Sequence, residues 1–242
     1  MTALILAGGK GTRLLPFTIT IPKPLLPVGE VPIIEVILRQ LAAAGVSRVI
    51  ISVGHLAHLF TALVGNGVRF GLTVEYSFED EPLGTAGPIR LVKNLEEELL
   101  VMNGDLLTTV SYSELFETHR RMSAWGTIAV HQREVNVDYG VVRMTDDGRL
   151  SDYIEKPIIP YFVSMGINVI SRQAVEFIPP VGKFDMPQLL MALQGAGKTV
   201  ACYRTDSYWQ DIGRFDDYQQ ASSDFVADPT RFLPAGYPCR QH

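Results

Sequence analysis

Ala3-Leu4-Ile5-Leu6-Ala7-Gly8-Gly9-Lys10-Gly11-Thr12-Arg13 is the stretch on which the fold turns. Its first five residues form an unbroken apolar run of strand length and read as a buried strand. The run empties into three glycines within four positions, where backbone can approach a ligand closely and amide N–H groups face anions. Working outward, Arg48 to Val53, Leu72 to Ser77 and Leu99 to Met102 are further strand-like runs. Between them, helical spacing occupies Ile33 to Ala44 (stopped by Gly45) and Leu56 to Val64 (stopped by Gly65), and a helix is expected over Thr85 to Asn94. Strands alternating with helices imply parallel βαβ units, whose sheets bind ligands beyond the carboxyl ends of the strands.

The pattern then changes. Gly126 to His131, Tyr139 to Met144 and Leu150 to Ile154 are strand-like, and Asp146-Asp147-Gly148 is a hairpin signal. A helix near Met186 to Leu193, a strand near Thr199 to Tyr203 and a helix after Arg214 complete the pattern. The expected fold class is α/β: a Rossmann-like, mixed but mainly parallel sheet flanked by helices, with a smaller antiparallel sub-region. No repeat and no linker divides residues 1–242, so a single domain is expected. Its tail, 224–242, should be extended because it carries Pro229, Pro234 and Pro238.

Composition narrows the function. The 242 residues are 47% hydrophobic and 19% charged, with net charge −5, mean hydropathy +0.14 and pI near 5.5. No basic stripe of the kind that binds nucleic acid is present. No apolar run nears the roughly 18 to 20 residues of a membrane span. Thr2 to Gly9 lacks the basic flank of a signal peptide. Two cysteines, Cys202 and Cys239, make no disulfide framework or metal spacing, and point to a reducing cytoplasm.

Arg13 and Lys23 place two cations in one long loop stiffened by Pro16, Pro22, Pro24 and Pro27, a composition suited to a triphosphate. A dinucleotide fingerprint is excluded, because Leu14 stands where its third glycine belongs and prolines interrupt the helix that should follow. Ala192 to Thr199 resembles a P-loop but lacks the first glycine and links a helix to a strand, the wrong order. His55 and His58 share a spacing that could bind metal, but no third ligand is near, and a helix-start surface is expected.

The opening loop with Pro16-Phe17-Thr18 and Pro22-Lys23-Pro24-Leu25-Leu26-Pro27-Val28 closely resembles the signature of the sugar-phosphate nucleotidylyltransferases, enzymes of the GT-A-like fold. Glu81-Pro82-Leu83-Gly84-Thr85-Ala86-Gly87, Asn103-Gly104-Asp105, Ile154-Glu155-Lys156-Pro157, Gly166-Ile167-Asn168 and Trp209-Gln210-Asp211-Ile212-Gly213 follow in the family's order, so the resemblance spans about residues 1 to 223. It implies a nucleotide-binding half (about 1–110) and a sugar-phosphate-binding half (about 111–223). Leu6, Ala7, Gly8, Gly9, Gly11 and Thr12 would wrap the nucleotide, with Ser77, Gly84 and Thr85 along its base. Arg13 and Lys23 would neutralise phosphates, and Asp105 and Asp211 would bind Mg²⁺, the implied cofactor. Lys156 would hold the sugar phosphate, with Glu155, Gly140, Gly166 and Asn168 around the sugar. Arg13, Lys23, Asp105, Lys156 and Asp211 are the implied catalytic set.

The implied reaction is in-line attack of a sugar 1-phosphate oxygen on the α-phosphorus of an NTP, releasing pyrophosphate. The attacking phosphate is already an anion, so positioning and charge neutralisation replace a strong base. The Glu81–Gly87 run with Pro88 is similar to that of mannose- and heptose-1-phosphate guanylyltransferases, which favours GTP. Uridylyl- and thymidylyltransferases share the scaffold, and a non-catalytic nucleotide-sugar sensor is the alternative of another class. Many relatives carry Asn and Tyr where this chain has Ser164 and Asn168, which bears on the acceptor sugar. The chain reads as a minimal catalytic domain, with a homo-oligomer as an allowed assembly.

Overall fold

The amino-terminal apolar run forms β1 (Thr2–Leu6), an interior strand of a seven-stranded sheet in a computed structural model that describes residues 1–9, 11–54 and 56–234. The remaining strands are β2 (Pro27–Val28), β3 (Val31–Pro32), β4 (Arg48–Val53), β5 (Thr73–Phe78), β6 (Glu98–Asn103), β7 (Leu106–Thr108), β8 (Gly126–Asn136), β9 (Val141–Met144), β10 (Leu150–Ile154), β11 (Ile158–Ser171), β12 (Val200–Arg204) and β13 (Trp209–Asp211). The helices are α1 (Ile33–Ala43), α2 (Ala57–Val64), α3 (Tyr112–Arg121), α4 (Met186–Gly195) and α5 (Phe215–Ala227). The main sheet has the order β12-β8-β11-β6-β1-β4-β5. β11 pairs antiparallel with β6 and β8; the other ladders are parallel.

Strand side chains alternate between two cores, as a pleat covered on both faces requires. Ala3, Ile5, Leu100 and Met102 join α1, α3 and α5 on one side, while Leu4, Leu99 and Val101 join α4 on the other. Ile33, Ile37, Leu38 and Leu41 of α1 are fully buried. Each such side chain contributes about 1.5–3 kcal/mol through burial. The sheet is therefore a rigid platform for whatever its strand ends carry.

Four expectations change. The helix expected over 85–94 is only a 3₁₀ segment, Gly87–Leu91. Ala86 N–H and Gly87 N–H both donate to Phe184 O at 2.9 Å, and Pro88 has no N–H, so the turn is committed elsewhere before a helix can nucleate. The antiparallel sub-region differs from expectation: β8 lies in the main sheet, β9 and β10 form a separate hairpin with Gly148 at φ +83° in its turn, and β2–β3 and β7–β13 are two further small antiparallel pairs. α3 and the fourteen-residue β11 were not expected at all. Residues 224–227 end α5 rather than starting an extended tail, Pro229–Arg231 is a 3₁₀ turn, and Phe232 and Leu233 are buried, Phe232 against the rings of Phe225 and Tyr208. Two aromatic anchors outweigh the prolines there. Residues 235–242 of that tail, with Cys239, and also His55 lie outside the described residues. Among the described residues, no helix is long and apolar enough to cross a membrane.

Candidate active site

From β1 the chain builds β4 and β5 on one flank, then returns to add β6 on the other. That reversal opens a crevice at the carboxyl ends of the strands. A cavity of about 410 Å³ lies there, within the usual size range of ligand pockets. Leu6, Ala7, Gly8, Gly9, Gly11, Thr12, Arg13, Lys23, Gly84, Thr85 and Asp105 line it, all of them expected from the sequence. Glu79, Asn103, Lys183, Asp185 and Gly213 line it as well and were not expected.

Asp105 and Asp211 meet although they stand far apart in the chain. Asp105 leads into β7, which pairs antiparallel with β13 so that Asp211 lies opposite Leu106. Ile212 N–H donates to Asp105 O at 3.0 Å and locks the register. The residue preceding α5 is Arg214, so Asp211 does not cap that helix. Lys23 Nζ sits 2.5 Å from Asp105 Oδ2 and 3.8 Å from Asp211 Oδ1. Asp105 Oδ1 is buried and has no hydrogen-bond partner among the described residues. Burial, and then the Asp105 charge, push the Asp211 carboxyl upward, against the opposing pull of Lys23 and Arg13. Two carboxylates beside one ammonium, with a buried oxygen unmatched, leave oxygen acceptors to spare. A hard divalent cation, which takes oxygen ligands, fits that donor set. Among the described residues no group of three or more His, Cys, Asp or Glu side chains is placed to hold a metal.

The wall formed by residues 79–85 is tied to the chain before α4. Gly84 has φ +82°, and a Cβ there would lie 2.6 Å from both Phe184 O and Asp185 Oδ1. The protein's own backbone therefore requires glycine at this position. Thr85 N–H donates to Asp185 Oδ1 at 3.1 Å, and Thr85 Oγ1 accepts from Met186 N–H at 2.7 Å. Ser77, on β5, does not line the cavity; Glu79 does, two residues further on. A signal for the Asp185 loop was present in the sequence: Asp185, Pro187 and Gln188 have helix-start spacing, and Gln188 Oε1 accepts from Asp185 N–H at 2.8 Å. No local signal says that this loop packs against Gly84.

The residues expected around the sugar form a second group, outside the cavity lining. Gly140, Glu155 and Lys156 belong to the β9–β10 hairpin region, where Tyr153 Oη donates to Glu155 Oε2 at 3.1 Å. A Cβ on Gly140 would collide with Tyr153 Oη, so glycine lets that ring close over the backbone. Lys156 is exposed and holds φ +43°, a sparsely populated conformation for a non-glycine residue. Gly166 sits in the irregular stretch of β11 between Ser164 and Asn168, with φ +70°, and a Cβ there would strike the Asn103 amide. Asn168 is buried within the sheet, and its Oδ1 has no partner among the described residues. Of this group, Gly166 touches the cavity lining, through Asn103.

The nucleotidyl transferase family profile matches residues 2–227. The UTP–glucose-1-phosphate uridylyltransferase of Synechocystis sp. is 32% identical over 91% of this chain and 62% of its own length. The mannose-1-phosphate guanylyltransferase of Mycobacterium tuberculosis is 33% identical over 93% of this chain and 64% of its own length. The chain thus spans under two thirds of the length of these two relatives. HddC from Yersinia pseudotuberculosis superposes with a TM-score of 0.71 at 27% identity, covering 93% of this chain and 99% of that one. With the glycine loop, the paired carboxylates and the strand order all in one crevice, these matches lead to one statement: the chain belongs to the sugar-phosphate nucleotidyl transferase family.

Proposed function

We propose that this chain transfers a nucleotidyl group from a nucleoside triphosphate, GTP by preference, to a sugar 1-phosphate of mannose or heptose type, giving an NDP-sugar and pyrophosphate. The observation that carries the reading is the meeting of Asp105, Asp211 and Lys23 beside the glycine loop. The difficulty of the reaction is bringing two phosphate-bearing anions together. Arg13 and Lys23 line the cavity that the glycine loop shapes, and there they bind and orient the triphosphate. Gly8, Gly9, Gly11 and Thr12 form one end of the cavity lining. Asp105 and Asp211 would hold Mg²⁺, which supplies charge neutralisation at the phosphates when bound. Lys23, at 2.5 Å from Asp105 Oδ2, would place its positive charge beside both carboxylates and the bound phosphates. On the acceptor side, Lys156 would hold the sugar phosphate, and Glu155 would accept hydrogen bonds from sugar hydroxyls near Gly140, Gly166 and Asn168.

The preference for GTP is supported by the Glu81–Gly87 run and by the guanylyltransferase among the relatives. The test is a matrix of five nucleoside triphosphates against several sugar 1-phosphates with Mg²⁺, read by product mass and pyrophosphate release. GDP-sugar as the main product is the expected result. UDP- or dTDP-sugar would move the base assignment, and no pyrophosphate from any pair would overturn the reading.

A further inference from the structure

The seven-stranded sheet ends in β5 on one side and β12 on the other, and the chain treats these two edges differently. At β5 the outer backbone is occupied: Val74 N–H donates to Asn66 O at 2.9 Å. At β12, Thr199 O accepts from Trp125 N–H at 2.9 Å and Thr205 N–H donates to Val130 O at 3.2 Å, so Ala201 and Tyr203 between them turn their backbone groups to β8. Backbone groups alternate along a strand, so the N–H and C=O of Val200, Cys202 and Arg204 turn outward, with no hydrogen-bond partner among the described residues. Such a row is a template for a further strand. Beside it lies α3. Tyr203 Oη donates to Glu114 Oε2 at 2.7 Å near the start of α3, and the residues after α3 lead to Trp125, next to Thr199. The helix therefore runs antiparallel to β12, and a groove of about 480 Å³ is lined by both. Glu114, Glu117 and Arg121 face it from the helix, Cys202 and Arg204 from the strand, all of them exposed.

We infer that this edge pairs antiparallel with the same edge of a second copy of the chain, about a two-fold axis at Cys202. A strand that pairs with its own symmetry mate must do so antiparallel for the assembly to close. Cys202 is the middle residue of β12, so it meets its mate, and Val200 of each copy meets Arg204 of the other. The same axis sets the two α3 helices antiparallel on one face of a sheet that continues across both copies. Arg121 of each helix then points toward Glu114 and Glu117 of the other. The groove thus carries both signs of charge in an order that matches itself on reversal, as an isologous contact requires. A purely basic or purely acidic strand would be attracted at one end and repelled at the other, which singles out the second copy as occupant. β8 and β11 separate this edge from β6 and β1, so pairing leaves the crevice open and the inference stands apart from the proposed reaction.

The experiment is sedimentation velocity of the full chain across the micromolar range, for the parent protein and three variants. The parent should run at twice its mass of 26.8 kDa. Cys202→Pro deletes an outward N–H and spares the groups that face β8, and it should weaken dimerisation about tenfold or more. Arg121→Glu should weaken it about tenfold, and adding Glu117→Arg to that variant should recover most of the loss. Recovery by charge exchange is a result that damage to the fold would not produce. With Cys239→Ser as background, a short bis-maleimide should join two copies through Cys202, because facing residues of a hydrogen-bonded antiparallel pair stand about 5.5 Å apart at Cα. Cys202→Ser should abolish that product. A parent that stays at the mass of one chain overturns the inference. So does a dimer indifferent to Arg121→Glu, or one that the reagent leaves unjoined. Should Cys202→Pro fail to fold, the charge exchange and the thiol reagent still decide.

Discussion

The crevice at the strand ends and the β9–β10 hairpin carry the two halves of the expected site, and they are built in opposite ways. Around the crevice, Leu4, Ile5 and Met102 are fully buried beneath the loops, and the wall at Gly84 is tied to the chain before α4 by a dense set of hydrogen bonds. In the hairpin every residue of β10 is exposed, and so are most of β9 and the outer parts of β8 and β11. A region with few buried apolar contacts opens locally at low free-energy cost, whereas one anchored in the core opens only near global unfolding. The crevice is therefore preorganised, whereas ordering the hairpin around the acceptor proposed for it would draw on binding energy.

The largest expected contrast comes from the carboxylates. Asp105→Asn should lower kcat by about a thousandfold or more with a folded protein, because the charge is lost without loss of volume. Full activity in that variant, by pyrophosphate release, would move the metal role elsewhere. Lys23→Ala should raise the barrier by about 2 to 4 kcal/mol; an unchanged kcat/KM would remove Lys23 from the mechanism. On the same wall, Gly84→Ala should destabilise by about 3 kcal/mol, since it adds left-handed strain and a clash with Phe184 O. Chemical denaturation measures this, and a change below about 1 kcal/mol would show that the wall yields.

The hairpin should behave differently. Lys156→Ala should raise KM for the sugar phosphate while changing stability by under about 0.5 kcal/mol, as expected of an exposed side chain. A large fall in thermal midpoint would mean that the two regions are not as distinct as described. The smallest effect concerns pH. Because the folded pKa of Asp211 is raised, its ionisation opposes folding, and this penalty sets in as pH rises out of the carboxylate range. Mg²⁺ should therefore raise the midpoint more at pH 7 than at pH 4, and Asp211→Asn should abolish the difference. A Mg²⁺ shift independent of pH in the parent protein would point to binding elsewhere.

The same contrast governs what could be read from the sequence. The parallel strands β1, β4 and β6 were legible because burial on both faces leaves largely unbroken apolar runs, whereas the edge strand β5 shows itself by alternation. β11 was hidden: Pro160 lies within it and Gly166 interrupts its register, and both look like strand breakers unless the partners β6 and β8 are known. α3 is a polar helix whose start was readable in retrospect, since Ser111 Oγ accepts from Glu114 N–H at 3.3 Å. Most lining residues within a recognisable motif were found, although Glu79, Asn103 and Gly213 beside those motifs were not, nor were Lys183 and Asp185, whose position depends on a distant loop. The reason is physical: a loop's contacts across the crevice leave no periodicity in its own residues.

The pairing of β13 with β7 has a consequence for synthesis. Asp211 reaches its partner only when a segment near the carboxyl end docks beside one from the middle of the chain. A nascent polypeptide still lacking that segment could complete β1, β4, β5 and β6, yet it would hold only one of the two carboxylates. If both are needed, as proposed, the crevice gains its chemistry only late in translation.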